Sequence, residues 1–533
     1  MNALAGTGAL VRLALRLDRI RLPIWILAIA GTVVATASSF EQLYPTVASR
    51  LQLSSGIVEN PSMRAIYGPL FDPRSIGGLT AWRQGGVGLV LIALMSLLTV
   101  VRHTRAEEEA GRLELIGAGV VGRYAPLTAA LVLAFGASLL IGLLMAGGLI
   151  GLGLPTAGSL ALGLGFLAVG WIFAAVAAVA AQLTESARLA TGIAVSVLAA
   201  AYLVRAAGDA AADTGPTWLT WLSPIGWAQQ IRPYAGERWE VFGLAAGLVV
   251  VCTGAAYTLV TRRDIGASLM PPRPGPSSAS PGLRSALALA WRLQRAPLLG
   301  WTIGFAVMGT AMGAVADGVR DVVESSPQIE EIVRRIGGSD AIVDAFLATI
   351  AGLFGLVAAV YAVQATLRLR VEETGLRAEP LLATRVGRTE WVSSHVVLAA
   401  LGAGVLLAVA GAGVGLTHGL SAGDVSGQLP RMVGGALVQL PATLVFAAVA
   451  LALFGVFPRL TVLSWAALVV CLLIGQLGPL LQLDQRLMDL SPFTHVPQIP
   501  GSNMTWTPLL WLTAVALGLT AAGMVGFRRR DLS

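Results

Sequence analysis

The chain has 533 residues, of which 56% are hydrophobic and 12% charged, and its formal net charge is +7. A single soluble core of this length could not bury so much apolar surface, so the composition excludes a soluble globular protein and indicates a membrane as the solvent. All 36 basic residues are arginine. A chain without lysine cannot contain a P-loop, and arginines that flank membrane spans explain the basic balance better than nucleic-acid binding does. The two cysteines and four histidines have no disulfide or metal-ligand spacing, so no metal site is expected.

The first half, residues 1–266, contains six predicted membrane spans. Residues 1–20 mix arginines with leucines, which is typical of an amphipathic helix in the membrane interface. A turn-rich outer segment, 41–83, is expected to hold one or two short helices, and a charged loop, 102–124, follows the second span. The predicted spans lie near residues 22–40, 85–101, 126–152, 160–183, 189–204 and 241–260.

A second outer segment, 208–240, is too rich in proline to span the membrane. It is either an aromatic belt or a re-entrant helical hairpin. The hairpin is favoured, because its Ser-Pro pair recurs before the last span of the chain. The residues of this prediction are Trp218, Trp221, Ser223 and Pro224, with Ser491 and Pro492 in the second half.

The second half repeats this plan after a Pro/Ser linker, 267–282. Residues 283–533 begin with another amphipathic sequence and contain outer segments at 317–345 and 482–506 and a charged loop at 368–391. The predicted spans lie near residues 297–316, 346–367, 392–416, 430–456, 461–481 and 507–527.

The two charged loops match each other at a constant spacing of 265 residues (370 − 105 and 388 − 123). The matched residues are Arg105, Glu107, Glu108, Arg112, Glu114, Gly122 and Arg123 in the first loop, and Arg370, Glu372, Glu373, Arg377, Glu379, Gly387 and Arg388 in the second. The copies differ where Glu109 becomes Thr374, Gly111 becomes Leu376 and Leu115 becomes Pro380. So many matches between charged residues in a charge-poor chain indicate a duplicated unit.

A second landmark is an Arg-Arg-Asp sequence that ends each half, at 262–264 and 529–531. With the N-terminus inside, about two-thirds of the arginines fall on inner segments, which predicts that both termini are cytoplasmic. Six spans in each half make the two units parallel. The predicted fold is therefore an all-α integral membrane protein of about twelve transmembrane helices, built as two parallel six-helix repeats with amphipathic interfacial helices and outer helical segments.

A Glu-Glu-x-x-x-Arg-x-Glu loop after the second of six spans, with a Ser-Pro segment before the last, resembles the ABC-2-type permease family. The fusion of two units through a Pro-rich linker resembles its bacterial branch of polyketide-antibiotic, or tetronasin-resistance, exporters. The resemblance implies a permease subunit in the bacterial plasma membrane that exports hydrophobic or amphipathic drugs or antibiotics. It also implies two copies of a cytosolic ATPase subunit that bind ATP and Mg, with no catalytic residue and no cofactor on this chain.

In that family the loop after the second span is a cytosolic coupling helix that sits on the ATPase. The resemblance assigns this role to Glu107, Glu108, Arg112, Glu114, Glu372, Glu373, Arg377 and Glu379, with secondary contacts at Glu185, Arg188 and Arg459. The alternative is a solvated loop that only sets topology and stabilises its helix through i,i+4 pairs.

The family's substrate path runs between the units, along their second and fifth spans. The polar and aromatic residues there are Tyr202, Phe354, Tyr361, Gln364, Trp465 and Gln476. Each of them is also compatible with simple helix packing.

Other functions remain open. The cargo of such an exporter could be a lipid or glycolipid rather than a drug. A proton-coupled secondary transporter would need intramembrane carboxylates, which the predicted spans lack. A membrane-embedded enzyme would have Asp72, Asp317 and Glu324 in its outer segments, without the spacing of paired carboxylates or metal ligands.

Overall fold

The structure is a computed structural model that describes residues 3–58, 61–117, 119, 121–211, 215–264, 267–269, 277–278, 281–324, 339–477 and 484–531. Every regular element in these ranges is a helix. The chain divides into two compact units, Met1–Gly275 and Pro276–Ser533.

The first unit contains thirteen α-helices among its described residues. They are α1 (Thr7–Leu17), α2 (Arg21–Leu43), α3 (Val47–Val58), α4 (Pro61–Tyr67), α5 (Ile76–Gln84), α6 (Val87–His103), α7 (Arg105–Glu109), α8 (Arg112–Gly117), α9 (Ala125–Gly151), α10 (Thr156–Leu183), α11 (Ala187–Ala210), α12 (Pro224–Gln230) and α13 (Val241–Thr261). A 3-10 helix, Thr217–Leu222, precedes α12.

The second unit begins with a 3-10 turn, Pro281–Leu283, and further 3-10 turns lie at Pro458–Leu460 and Pro492–His495. Its α-helices in the described ranges are α14 (Ala286–Glu324), α15 (Ser339–Thr366), α16 (Arg368–Thr374), α17 (Ala378–Leu382), α18 (Arg388–Ala422), α19 (Val425–Leu437), α20 (Leu440–Val456), α21 (Leu463–Leu477), α22 (Gln485–Met488) and α23 (Trp506–Arg529).

Eleven helices in the described part of the chain are long and apolar enough to cross a membrane. They coincide with eleven of the twelve predicted spans. At the remaining position, 461–481, the structure describes a shorter apolar helix, α21, and residues 478–483 lie outside the described ranges. The protein is therefore an all-helical, multi-pass membrane protein of about twelve membrane helices, as the sequence predicts.

Small residues let the central helices of each unit touch along their backbones. In the first unit α9 and α10 meet at Gly142 and Gly163, where a Cβ on Gly142 would lie 2.6 Å from the Gly163 carbonyl oxygen. In the second unit α20 and α23 meet at Gly523, where a Cβ would lie 2.7 Å from the Leu451 carbonyl oxygen. Apolar side chains from the flanking helices complete the two cores.

The first outer segment is more helical than predicted, because it holds three short helices, α3 to α5, rather than one or two. The extra helix begins at Ser75, whose hydroxyl oxygen accepts a hydrogen bond from the Gly78 N–H at 2.9 Å. The outer segments of the second unit are described only in part: residues 325–338 and 482–483 lie outside the described ranges, as do the side chains of Asp317 and Glu324.

The amphipathic starts of the two units also differ. Asp18 ends α1, and its carboxylate contacts Arg102 at 3.1 Å and His103 at 2.6 Å. In the matching Arg-Leu-x-Arg sequence of the second unit the residue is Gln294, and α14 continues through it and through Pro297. Because glutamine favours a helix more than aspartate does, the separate interfacial helix predicted for the second unit is instead the first part of a long helix.

Candidate functional site

Each charged loop is a short helical extension of the second span in its unit. A single residue, Thr104, separates α6 from α7, and a single residue, Leu367, separates α15 from α16. Both extensions end at a left-handed residue, Gly111 with φ 70° and Leu376 with φ 56°. The backbone turn is thus the same in both copies, although leucine bears a steric cost there that glycine avoids.

A charged pair spans this turn in both loops. Arg112 Nε lies 2.6 Å from Glu107 Oε2, and Arg377 Nε lies 2.7 Å from Glu372 Oε2. In the second unit Arg368 Nη2 also lies 2.6 Å from Glu372 Oε1. The side-chain hydrogen bonds to Glu107 and Glu372 raise the pKa of Arg112 and of Arg377, so both guanidinium groups stay charged. Their side chains remain 57% and 58% exposed, so the pair closes the turn without hiding its cation.

Glu108 joins the first loop to the end of the last span of its unit. Its two carboxylate oxygens accept hydrogen bonds from Arg263, at 2.7 and 2.9 Å, in the bidentate geometry that favours arginine. Arg105 Nη1 donates to the same carboxylate at 2.6 Å, and Arg105 Nε donates to the Ala181 carbonyl at 2.9 Å. Arg263 Nε also donates to Gln182 Oε1 at 2.7 Å. These buried contacts bring the ends of α7, α10 and α13 together.

Glu373 makes the same connection in the second unit. Arg530 donates to its two oxygens at 2.7 and 2.8 Å, and Arg370 Nη1 lies 3.3 Å from Oε2. The guanidinium of Arg530 also lies over two aromatic rings, 4.9 Å from the centroid of Phe454 and 5.0 Å from that of Phe527. We call these two connections, Glu108–Arg263 and Glu373–Arg530, the clamps.

The arginine that ends each loop binds the same helix end. Arg123 Nη2 lies 2.9–3.0 Å from the carbonyl oxygens of residues 260, 261 and 263. Arg388 Nη1 lies 2.7–3.5 Å from those of residues 527, 528 and 530, each 267 positions later (527 − 260). A cation at the C-terminus of a helix satisfies its last carbonyls and complements its dipole. Each loop is therefore attached to the last span at both of its ends.

Most of the charges that match between the two loops thus have partners inside their own unit. The interpretation of Glu108 and Glu373 as contact residues does not account for their burial, since their side chains are 11% and 3% exposed. Sequence reasoning missed their partners, Arg263 and Arg530. The signal was present, because both lie in the repeated Arg-Arg-Asp sequence, which served only as a landmark of the duplication.

Seven of the predicted coupling residues are exposed, whereas Glu107 is partly buried and Glu372 is buried beneath their arginine partners. Besides Arg112 and Arg377, the exposed residues are Glu114, Glu379, Glu185, Arg188 and Arg459. Glu109, which was not predicted, accepts a hydrogen bond from the Ala187 N–H at the start of α11, at 2.8 Å. This contact links the first loop to the following short loop of its unit.

One predicted path residue in the first unit and one in the second pack within their own unit. The Tyr202 hydroxyl donates to the Ile66 carbonyl at 2.9 Å. Phe354 packs against Phe305, with ring centroids 5.7 Å apart. The side chains of Tyr202 and Phe354 therefore both contact neighbouring helices of their own unit.

Two further path residues contact the same tryptophan. Tyr361 meets Trp301 edge to face at 6.3 Å, and Gln364 Oε1 accepts a hydrogen bond from Trp301 Nε1 at 3.1 Å. Trp465 is 37% exposed, and the side chain of Gln476 lies outside the described part of the chain.

The Ser-Pro residues begin short helices in both units. Ser223 caps α12, its hydroxyl oxygen accepting from the N–H groups of Ile225 and Gly226, and Ser491 precedes the 3-10 turn that starts at Pro492. The 3-10 helix and α12 form a pair of short helices around Ser223, with Trp218 and Trp221 exposed.

An ion pair at the end of α11 was not predicted. The helix continues six residues beyond the predicted span end at 204 and buries Arg205 and Asp209, 3.2 Å apart. Thr220 donates to the same carboxylate at 2.9 Å, and Arg205 donates to the Ile66 carbonyl at 3.3 Å. The pair holds the outer helices of the first unit onto α11.

Comparison with known proteins gives the family. A family model described as the C-terminal domain of the multidrug efflux system permease Rv1217c matches residues 283–528. The multidrug efflux system permease protein Rv1217c of Mycobacterium tuberculosis is 45% identical over 532 residues, which is 100% of this chain and 96% of that protein. The chain therefore belongs to the Rv1217c family of efflux-system permeases, which are transport proteins rather than enzymes.

Proposed function

We propose that this chain is the permease of an ATP-driven exporter of the ABC-2 type, which moves hydrophobic or amphipathic drugs or antibiotics out of a bacterial cell. The name of its relative describes one component of a multidrug efflux system, so a partner component is implied. In the proposal that partner is a cytosolic ATPase, present in two copies, which binds ATP and Mg and contacts the two charged loops. Both termini and both loops then lie on the cytoplasmic side of the plasma membrane.

The observation that carries the proposal is the pair of clamps. Each loop helix continues the second span of its unit, and Glu108 or Glu373 binds it to the end of the last span. A push on the loop therefore reaches two spans of the unit at once. A loop that only set topology would need neither a buried carboxylate nor a bidentate arginine, because exposed charges suffice for that purpose.

This arrangement separates two roles among the matched charges. Glu108 and Glu373 transmit force within the unit, and the exposed residues contact the ATPase. The contact residues are Arg112, Glu114, Glu185, Arg188, Arg377, Glu379 and Arg459.

ATP hydrolysis by the permease in lipid nanodiscs, alone and with its ATPase partner, tests the proposal. We expect no hydrolysis by the permease alone and drug-stimulated hydrolysis by the complex. The double variant Glu114→Arg/Glu379→Arg should bind the ATPase more weakly, because it reverses charge on the contact surface. The double variant Glu108→Gln/Glu373→Gln should bind the ATPase normally and lose the stimulation by drug.

Glu41→Arg is the matched control, since it reverses an exposed charge at the end of α2, outside the loops. It should leave both ATPase binding and stimulation unchanged. Transport driven by a proton gradient without any ATPase would contradict the proposal.

A proton-coupled transporter is the second candidate, and one observation favours it. Asp209 is a buried carboxylate in a helix long enough to span the membrane. Arg205 compensates its charge and binds one of its oxygens, and the Thr220 hydroxyl binds the other, so a structural role accounts for it. A lipid or glycolipid as cargo of the ATP-driven exporter is the other alternative, and comparing drug with lipid stimulation of hydrolysis would distinguish them.

A further inference from the structure

A cavity of about 470 Å³ lies under the first charged loop, within the first unit. Its apolar wall is formed by Leu113, Pro126, Leu127 and Val260, and its polar wall includes Glu108 and Arg263. Small-molecule sites have volumes of roughly 300 to 1,000 Å³ and combine apolar walls with a few polar groups. In size and lining, the cavity therefore fits a bound small molecule.

In the second unit, aromatic side chains occupy the matching place. Trp391, Phe454 and Phe527 pack together, with ring centroids 5.6 Å apart between Trp391 and Phe527 and 5.3 Å apart between Phe454 and Phe527. All three are buried with Leu369 in one apolar cluster. These rings fill the space beneath the second loop and support it.

Two residues that line the cavity, Pro126 and Val260, are smaller than the residues at the matched positions of the second unit. Pro126 matches Trp391 at the spacing of the loops, 265, and Val260 matches Phe527 at the spacing of the last spans, 267. Ala181 takes the place of Phe454, since each lies two residues before the end of its helix. The first unit therefore has the same polar framework without its aromatic filling.

Arg263 defines the chemistry that this cavity would select. Its counterpart Arg530 lies over the rings of Phe454 and Phe527. In the described part of the first unit, no aromatic ring lies over the guanidinium of Arg263, and Arg263 is one of the residues that line the cavity. A planar aromatic molecule in the cavity would supply the missing ring, through the stacking that a guanidinium makes with a π face.

We propose that this cavity is a binding site for a small planar aromatic molecule, which stacks on Arg263 and contacts Leu113, Pro126 and Val260. Bound there, the molecule supports the first loop as Trp391, Phe454 and Phe527 support the second. Its effect on turnover rests on the proposed function, but its binding does not, so binding is tested on the permease alone.

The probe is 5-fluoroindole, because an indole ring occupies this place in the second unit. Binding to the permease in nanodiscs is measured by ¹⁹F NMR, with empty nanodiscs of the same lipid as the control for partition into the bilayer. We expect a saturable component that empty nanodiscs lack. Val260→Phe introduces the residue found at the matched position of the second unit. The affinity of the saturable binding for the probe should then fall by about tenfold or more, because a close-packed interior leaves no space for the probe.

Val121→Trp fills the cavity from the loop side and serves as a second variant, so that misfolding of one does not decide the result. Trp391→Ala is the positive control, since it opens an indole-sized space in the second unit and should add a second saturable component. The proposal is overturned if the wild-type permease binds no more probe than empty nanodiscs. It is equally overturned if both filling variants bind like the wild type.

Discussion

The two charged loops share their polar contacts and differ in what lies beneath them. Each has a carboxylate bound by an arginine from the last span and a second arginine on the carbonyls of that span. Beneath them, the first unit has backbone and amide acceptors and a cavity, whereas the second has three aromatic rings. The two units thus share the attachment of the charged loop to the last span, whereas the packing beneath the loop differs between them. The attachment to the last span is therefore the feature that the two loops have in common.

The two clamps are also stabilised differently. Arg105 and Arg263 are both deeply buried, with side chains 1% and 8% exposed, and both depend on Glu108 for charge compensation. In the second unit Arg370 is 27% exposed, and Arg530 stacks on aromatic rings. The first clamp therefore relies on electrostatics and the second also on apolar packing.

Removal of the clamp carboxylates is the largest expected effect. Glu108→Ala should lower the free energy of unfolding of the permease by about 4 kcal/mol, because loss of one partner leaves a buried charge uncompensated. Glu373→Ala should cost less, since Arg530 keeps its two rings and Arg370 keeps its access to water. The midpoint of thermal unfolding in nanodiscs measures both.

Equal losses in the two variants would contradict the difference drawn between the clamps. A double-mutant cycle with Arg263→Met, and a second with Arg530→Met, isolates the pairwise energies.

Truncation of one side chain in the aromatic cluster should have the next largest effect on the free energy of unfolding. Phe527→Ala should cost about 3 kcal/mol, because it leaves a void in a buried cluster and removes a ring from Arg530. Val260→Ala, at the matched position, should cost less than about 1 kcal/mol, since its side chain already borders a cavity. The shift in the unfolding midpoint tests the pair, and similar costs would mean that the cavity is closed in solution.

Substitution of the left-handed residue in each loop should change the stability of that loop by a smaller amount. The sign of the change should be opposite in the two units. Leu376→Gly should stabilise the second loop by about 1 kcal/mol, because it removes the Cβ clash at a positive φ. Gly111→Leu should destabilise the first loop by a similar amount. Amide hydrogen exchange of each loop measures the local change, and a loss of protection in Leu376→Gly would show that the leucine makes a compensating contact.

Loss of the contact between Glu109 and α11 should have the smallest effect on stability. Glu109→Gln should cost about 0.5 kcal/mol, since a carboxylate near a helix N-terminus is favoured by that amount at an exposed site. Thr374→Ala in the second unit is its matched control and should leave hydrogen exchange at the start of α21 unchanged. A loss of protection at the start of α11 with the first variant alone is the expected result.

Much of the fold could be predicted from the sequence. Long apolar runs gave the positions of the spans, and the matched charges gave the duplication and the location of the loops. The end of α11 was missed because Arg205 and Asp209 look like the edge of a span until their pairing buries both. The continuous α14 was missed because the resemblance to residues 1–20 suggested a break, whereas α1 ends before Asp18 and α14 continues through Gln294 at the matched position.

The candidate site was predicted less completely, for a physical reason. Glu108 and Arg263 are 155 residues apart, and no local pattern shows that the ends of α7 and α13 meet. The turn at Leu376 could not be foreseen, because leucine rarely adopts a positive φ. The cavity depends on Pro126 and Val260 facing each other under the loop, which only the packed helices reveal.

The most direct test of the central claim is a cross-link that replaces a clamp. The variant Glu373→Cys/Arg530→Cys, in a background where Cys252 and Cys471 are alanine, is combined with the ATPase partner in nanodiscs. Drug-stimulated ATP hydrolysis is then measured before and after addition of a short bifunctional thiol reagent. We expect stimulation to be lost without the reagent and restored with it, because a covalent link again carries force from the loop to the last span. Stimulation that persists without the reagent, or that the reagent fails to restore, would contradict the claim that the clamp transmits the motion.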